Sequence, residues 1–535
     1  MLRFFSFWIS IFLGASAFCS AQGQDLSSWR KEVVYEIFVR SFQDSNGDGV
    51  GDLDGITSRL DYLHELGVTA IWLTPIFPSP SYHGYDVTDY EAINPDFGNM
   101  DSFDHLLGEA HQRQLKVILD IPVNHTSSSH PWFLASQPFG IWGPSDTYLW
   151  SSVPLVWSAV ENALDHWHLQ GGSYYYSTFG EAMPDLNWKN PDVLSEIEKV
   201  FIFWIQRGVD GFRLDAAQYL DKGPNGEANT AANHQIWKKI VQACKAINPF
   251  TYFVGEVWTD SATIATYKGD GDELTQAFDF PLAAHVVNAV VNHDPVEFYQ
   301  GLLERMRFQR DPFFASPFLT NHDQVRLATL AKGSVDQLKL AAAILFTLPG
   351  TPYLYYGEEI GLPEGIDARF PDDLGKRTPM SWERASIERG FTWPNSKPWQ
   401  DFSSSDSSIS VDAQRNVPGS LLSSYQELIH LKRTTPSLID GTISAPVTLV
   451  GKDIVVYLRK TEAEVTLVAL NFSPKDTPQV LIDLARVLPP YFEGAVLKQI
   501  YGREVGPLQW STDTSILVPW IPADSAVVLK LTKKK

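Results

Sequence analysis

Apolar runs rich in Val, Ile, Tyr and Phe recur along the chain at 33–39, 70–75, 116–122, 211–216, 252–258, 276–281, 317–323 and 350–357. Stretches with helical periodicity separate them. Within 55–67, Ile56, Leu60, Leu63 and Leu66 fall at spacings of three and four, one stripe of a helix. The segment 338–348 is dense in Ala and Leu, as a helix packed on a sheet requires. Strand and helix alternating in this way predict an α/β chain folded as a (β/α)8 TIM barrel. The barrel is expected over 22–124 and 191–443. Between its halves, 125–190 is rich in Trp, Tyr, Ser, Gly and Pro and has no long amphipathic helix, so an irregular inserted domain is expected after the third strand, walling one side of a cleft. From 444 to 535 the pattern changes to alternating strands without helices, such as Asp453–Arg459 and Glu464–Leu470, which predicts a C-terminal all-β sandwich. The stretch 391–416, with its serine cluster at 403–410, reads as a surface loop.

The first 21 residues have a different character: a basic start at Arg3, an apolar run from Phe4 to Ala17, and small residues after Cys19. That is the pattern of a cleavable secretory signal, and it predicts a secreted or periplasmic protein. The run is shorter than the ~20 apolar residues of a membrane span, so no span is expected in the mature chain. Lipid attachment at Cys19 is the less favoured alternative, because bulky Phe18 precedes the cysteine. After cleavage Cys244 would be the only cysteine, which excludes an internal disulfide. A formal charge of −21 argues against nucleic acid as a partner, since phosphates would be repelled. A neutral ligand fits better, and the 17 Trp and 20 Tyr offer both core material and ring faces on which sugars stack. A monomer is expected.

Four segments carry the candidate chemistry: Asp120-Ile-Pro-Val-Asn124-His125, Gly211-Phe-Arg213-Leu-Asp215, Phe253-Val-Gly-Glu256-Val-Trp258 and Phe318-Leu-Thr-Asn-His322-Asp323. Each places an acid at or just beyond the end of an apolar run, and in a parallel barrel those ends converge on one rim. A single such acid could simply cap the next helix. Together, in order, they suit cleavage of a glycosidic bond by an acid and a nucleophile. Arg213 lies two residues before Asp215, so both side chains share a strand face and the cation keeps Asp215 ionised as nucleophile. Glu256 is the expected general acid/base, its pKa raised by apolar neighbours.

These segments resemble the four signature regions of the α-amylase family of glycoside hydrolases, and Met183-Pro-Asp-Leu-Asn-Trp188 resembles a fifth. The resemblance runs from about Val33 into the C-terminal domain. It points to a branch intermediate between oligo-1,6-glucosidase-like and neopullulanase-like members. It implies that Asp323 binds hydroxyls of the distorted sugar, that His125 and His322 donate hydrogen bonds to the same sugar, and that Tyr85 is its stacking platform. Asp120 and Asn124 would hold the rim, with Asn124 also a candidate ion ligand. A Ca2+ loop is expected at 44–52, where Asp44, Asn46, Asp48 and Asp52 alternate with glycines and the Val50 carbonyl completes an oxygen set. Gly55 at the twelfth position rules out an EF-hand.

Two departures bear on the function. Gln218-Tyr219 stands where many α-amylases have Lys-His, which puts a second calcium in doubt. Tyr82 stands where exo-acting members have an acidic anchor for a terminal sugar, which favours binding within a chain. The expected activity is therefore a retaining, endo-acting hydrolysis of α-1,4 bonds in an α-glucan or maltooligosaccharide. The alternatives are an exo-α-glucosidase, a neopullulanase-like enzyme, a 4-α-glucanotransferase and a non-catalytic scaffold relative.

Overall fold

Eight parallel strands follow the eight apolar runs: β1 (Val34–Ile37), β2 (Ala70–Leu73), β3 (Lys116–Pro122), β4 (Gly211–Asp215), β5 (Tyr252–Gly255), β6 (Gln276–Phe278), β7 (Ala315–Ser316) and β8 (Tyr353–Tyr355). They are seen in a computed structural model that describes residues 26–138, 145–365 and 373–533. The expected signal segment and Cys19 lie outside the described residues. Pairing runs in sequence order from β1 to β7, and β8 pairs with β1. The Tyr353 amide donates to the Pro317 carbonyl at 2.9 Å, joining the last strand to the end of the seventh. The (β/α)8 barrel follows.

The two-residue period of the strands sorts their side chains. Ile37, Ile71, Leu73, Val117, Leu119, Phe212, Leu214 and Phe253 face outward into the helix-packed core. Val34, Trp72, Ile118, Tyr252, Val254, Phe278 and Tyr353 form a separate cluster with Trp29 and Phe318 inside the barrel. On the same inward parity, nearer the carboxyl ends, lie Glu36, Asp120, Arg213 and Asp215, all buried. An apolar plug therefore supports a charged layer at the rim. Side-chain caps at Asn99, Asn190, Thr230, Asp279 and Ser334 start the flanking helices at 100–112, 191–207, 231–247, 280–292 and 335–347.

Two local expectations change. The helix at 55–67 begins earlier, where Asp52 accepts from the Gly55 amide, and is broken at Arg59 into Leu53–Ser58 and Leu60–Leu66. The Arg59 guanidinium leaves this helix to lie 4.3 Å from the Trp382 ring centroid. The seventh apolar run spans 317–323, yet the strand is only Ala315–Ser316. Pro317 has no amide to continue the ladder, so Phe318–Asp323 runs across the rim and returns His322 to β1.

Within the insertion, short strands at Trp150–Ser151, Trp167–Gln170 and Ser173–Tyr176 make one antiparallel sheet. Beyond 441, a five-stranded and a three-stranded antiparallel sheet enclose Val456, Leu458, Leu467, Ile482, Phe492, Ile516, Val518 and Leu529. Among the described residues no helix is long and apolar enough to cross a membrane.

Candidate active site

Arg213, 1% exposed, projects from β4 into the centre of the charged layer. Its Nη1 lies 2.8 Å from Asp120 Oδ1 and 2.6 Å from Asp215 Oδ1, and its Nη2 lies 2.8 Å from Glu256 Oε2. One guanidinium thus joins acids from three of the four sequence segments. The fourth segment arrives from the opposite side. Asp323 Oδ2 is 3.1 Å from His322 Nε2, and its Oδ1 is 2.8 Å from Arg377 Nη2. Tyr85 ties the two sides together: its hydroxyl donates to Asp120 Oδ2 at 3.0 Å and lies 2.7 Å from His322 Nε2, and its ring stacks on the imidazole.

The carboxyls Glu36, Asp120, Asp215, Glu256 and Asp323 outnumber the cations Arg213, His322 and Arg377, so not all of the acids ionise easily. Burial pushes Glu256 up to about 7, with Arg213 opposing and Asp215 and Asp323 adding to the rise. Its Oε2 accepts from Arg213 and from the Ala216 amide at 3.0 Å, which leaves Oε1 to carry the proton. Burial raises Asp215 to about 6, again against Arg213. Burial also disfavours ionised Asp323, but His322 and Arg377 outweigh it and hold that carboxyl well below the usual range. Ala216, directly after Asp215, has φ +47, a left-handed conformation unusual for alanine, and its amide is the one that donates to Glu256.

These groups open on a cavity of about 350 Å3 lined by Tyr85, His125, Asp215, Glu256, Asp323 and Arg377, with Phe179, Met183 and Trp258 among its other walls. Trp258 is half exposed and stacks on Phe280 at 4.5 Å. His125 is buried and pushed down to about 4, so its imidazole is neutral. Asn124 Oδ1 accepts from Lys222 at 2.9 Å, which turns the Asn124 amide nitrogen towards His125 Nδ1 at 3.3 Å. The His125 proton therefore sits on Nε2, a buried donor without a partner among the described residues. A sugar hydroxyl in the cavity would satisfy it.

Asn124, expected to reach an ion, has its acceptor oxygen taken by an ammonium instead. Lys222 also pairs with buried Asp185 at 2.7 Å, so the protein supplies its own cation there, and a second one would be repelled. The 44–52 loop keeps its oxygen set. Asp44 accepts from the amides of Asn46, Gly47 and Gly49 and from the Thr392 hydroxyl, Asn46 from Asp48, Asp48 from Val50, and Asp52 from Ser45 and Gly55. The Val50 carbonyl accepts no hydrogen bond among the described residues. Gly49, at φ +90, passes so close to the segment after Phe391 that a Cβ would lie 2.1 Å from the Lys397 carbonyl oxygen. Among the described residues no three His, Cys, Asp or Glu side chains converge as a metal cage. The donors that remain are all oxygens, carboxylate, amide and carbonyl, which is the chemistry of a hard cation.

Sequence reasoning missed Glu36, Arg377 and the Lys222–Asp185 pair. Glu36 had a signal, as the only charge in the run Val33-Val-Tyr-Glu-Ile-Phe-Val39. Arg377 and Lys222 had none, because loops bring them in.

A barrel rim that holds three carboxyls on one arginine, a fourth acid across a cavity, and neutral donors between them is the site of a glycoside hydrolase. The comparisons agree. The profile described as "Alpha amylase, catalytic domain" matches residues 36–441, and the chain belongs to that family. It is 39% identical to alpha-amylase 3 of Dictyoglomus thermophilum over 475 residues, 87% of this chain and 89% of the relative. It is 31% identical to an oligo-1,6-glucosidase of Parageobacillus thermoglucosidasius, covering 84% of this chain and 91% of the relative. The crystal structure of an alpha-amylase from H. orenii superposes with a TM-score of 0.80 at 35% identity, covering 93% of this chain and 99% of that one.

An acid-and-nucleophile cleavage at this site requires Asp215 ionised and Glu256 protonated. Activity should rise as pH climbs through the Asp215 value of about 6 and fall as it passes the Glu256 value of about 7. The expected kcat/KM profile is a narrow bell between them. A profile still rising above pH ~8 would show that a protonated Glu256 is not required.

Proposed function

We propose that this protein is a retaining, endo-acting hydrolase of α-1,4-glucosidic bonds in starch-like glucans and maltooligosaccharides. Asp215 attacks the anomeric carbon while Glu256 delivers its Oε1 proton to the leaving oxygen. The glycosyl ester on Asp215 is then opened by a water that gives its proton back to Glu256. Both carboxyls hydrogen-bond neighbouring nitrogens of Arg213, which supports the short separation of a double displacement, ~5–5.5 Å, over the wider one of an inverting site. Asp323, with His322, His125 and Tyr85, binds the sugar whose bond is cut.

The observation that carries the endo reading is Tyr82. Its hydroxyl accepts from Arg377 at 3.0 Å and its ring stacks on Trp399 at 5.8 Å, so an aromatic side chain stands where an acid would grip a chain end. One observation favours a second reading: Asp373, 3.1 Å from Arg377, also lines the cavity and could hold a terminal hydroxyl as in an exo-α-glucosidase. Starch digestion separates the two. The endo reading expects viscosity to fall well before reducing ends accumulate, maltooligosaccharides to precede glucose, and maltoheptaose blocked at its non-reducing end to be cut. Glucose as first product and an inert blocked substrate would give the site to the exo reading.

We further propose that the 44–52 loop binds Ca2+ through Asp44, Asn46, Asp48, Asp52 and the Val50 carbonyl, as a structural ion away from the chemistry, and that residues 1–21 direct export. An ion bound only by the folded chain stabilises it by mass action. Chelation should lower the melting temperature of the natural protein and leave that of Asp44→Ala/Asp48→Ala unmoved. An equal response in both would remove the ion from this loop.

A further inference from the structure

Glu36 is 1% exposed and belongs to the inward face of β1, below the residues that line the cavity. Its Oε1 lies 2.5 Å from Nδ1 of His322, and the His322 amide approaches the same oxygen at 3.4 Å. The other ring nitrogen of His322, Nε2, is 3.1 Å from Asp323 and 2.7 Å from the Tyr85 hydroxyl. The imidazole is therefore bracketed by a carboxyl group at each nitrogen; burial raises the pKa of Glu36, and His322 opposes the rise. A neutral ring carries one N–H and can donate to only one of them, whereas the imidazolium satisfies both.

We propose that Glu36 is a positioning residue of the active site: its hydrogen bond to Nδ1 fixes His322 as an imidazolium, whose Nε2–H anchors Asp323 in its ionised form against the bound sugar. Glu36 touches no substrate and acts only through His322. The ring's environment agrees. Burial disfavours the cation, but Asp323 and Glu36 together raise His322 to about 10. The other charges nearby act from further off. Arg213 and Asp120 stand behind Tyr85, Arg377 holds Asp323 and the His322 backbone carbonyl, the latter at 3.0 Å, and Tyr355 and Glu358 lie beside Glu36. None of them reaches Nδ1, so Glu36 alone sets the proton there.

The seventh strand explains the juxtaposition. Because Pro317 ends β7, the chain after it is free to turn inward, and His322 comes back beside β1, from which it is separated by 286 residues. A longer β7 would have kept His322 on its own side of the rim.

The test is Glu36→Gln, which keeps the shape and an acceptor but removes the charge. In protein labelled with 15N-histidine, the His322 signal, assigned against His322→Asn, should stay doubly protonated beyond neutral pH in the natural protein. In Glu36→Gln it should titrate at least about one unit lower. The hydrolysis arm rests on the proposed mechanism and expects kcat to fall roughly ten- to a hundredfold, as loss of a charge-assisted hydrogen bond implies, with KM little changed. The loss should shrink at acid pH, where the ring is protonated regardless, and Glu36→Asp should recover part of both readouts. Should Glu36→Gln not fold, Glu36→Asp gives the same reading as a smaller shift. An unmoved His322 titration overturns the proposal, whether or not activity falls, because a merely structural glutamate would leave the ring's proton where it was. The titration does not depend on which bond is cut, so a failed mechanism and a failed Glu36 role are told apart.

Discussion

The site hangs on one buried guanidinium. Arg213 is held by acids from its own strand, from β3 and from the end of β5, so three segments distant in sequence share a single cation. Removing one partner from such a buried set typically costs 3–5 kcal/mol, because the others are left uncompensated. The arrangement exists because the strand period places Arg213 and Asp215 on one face, above an interior of Trp72, Ile118, Tyr252 and Phe278. That apolar plug keeps water from below and makes every charge at the rim dependent on its neighbours. The excess of acids over cations follows from the same geometry and leaves Glu256 as the carboxyl that keeps its proton.

A second line of contacts braces the wall across the cavity. The segment after Phe391 clasps the 44–52 loop through Trp393 on the Ser45 carbonyl and the Trp399 amide on Gly49. Trp399 stacks on Tyr82, Tyr82 accepts from Arg377, and Arg377 grips Asp323. The 44–52 loop and a cleft carboxylate are thus joined by three residues in succession, Trp399, Tyr82 and Arg377. On the opposite wall, Lys222 and Asp185 fasten the insertion to Asn124 at the end of β3.

The barrel was legible because its strands are short, apolar and regularly spaced, and because the period of two says which residues meet inside. Seven of the runs became strands near where they were expected, and Asp215, Glu256 and Asp323 line one cavity to which the first segment brings His125, with Asp120 buried behind Tyr85. The seventh strand lies ahead of its run because an apolar stretch after a proline has the pattern of a strand, although Pro317 ends pairing before the stretch begins. Glu36 could have been found: a lone charge in a run buried on both faces needs a partner. Lys222 and Arg377 could not, since the loops that deliver them have no periodicity linking them to the rim. The order of the loop's donors was plain from 44–52, but not that Thr392 and Trp393 would seal it.

Covalent bonding of Asp215 to the sugar is the central claim, and the configuration of the first product tests it directly. Proton NMR over the first minutes of maltooligosaccharide hydrolysis, before mutarotation, should show the α-anomer alone at the newly formed reducing end, because two displacements restore the starting configuration. The β-anomer appearing first would mean a single displacement by water and would contradict the roles of Asp215 as nucleophile and Glu256 as acid/base.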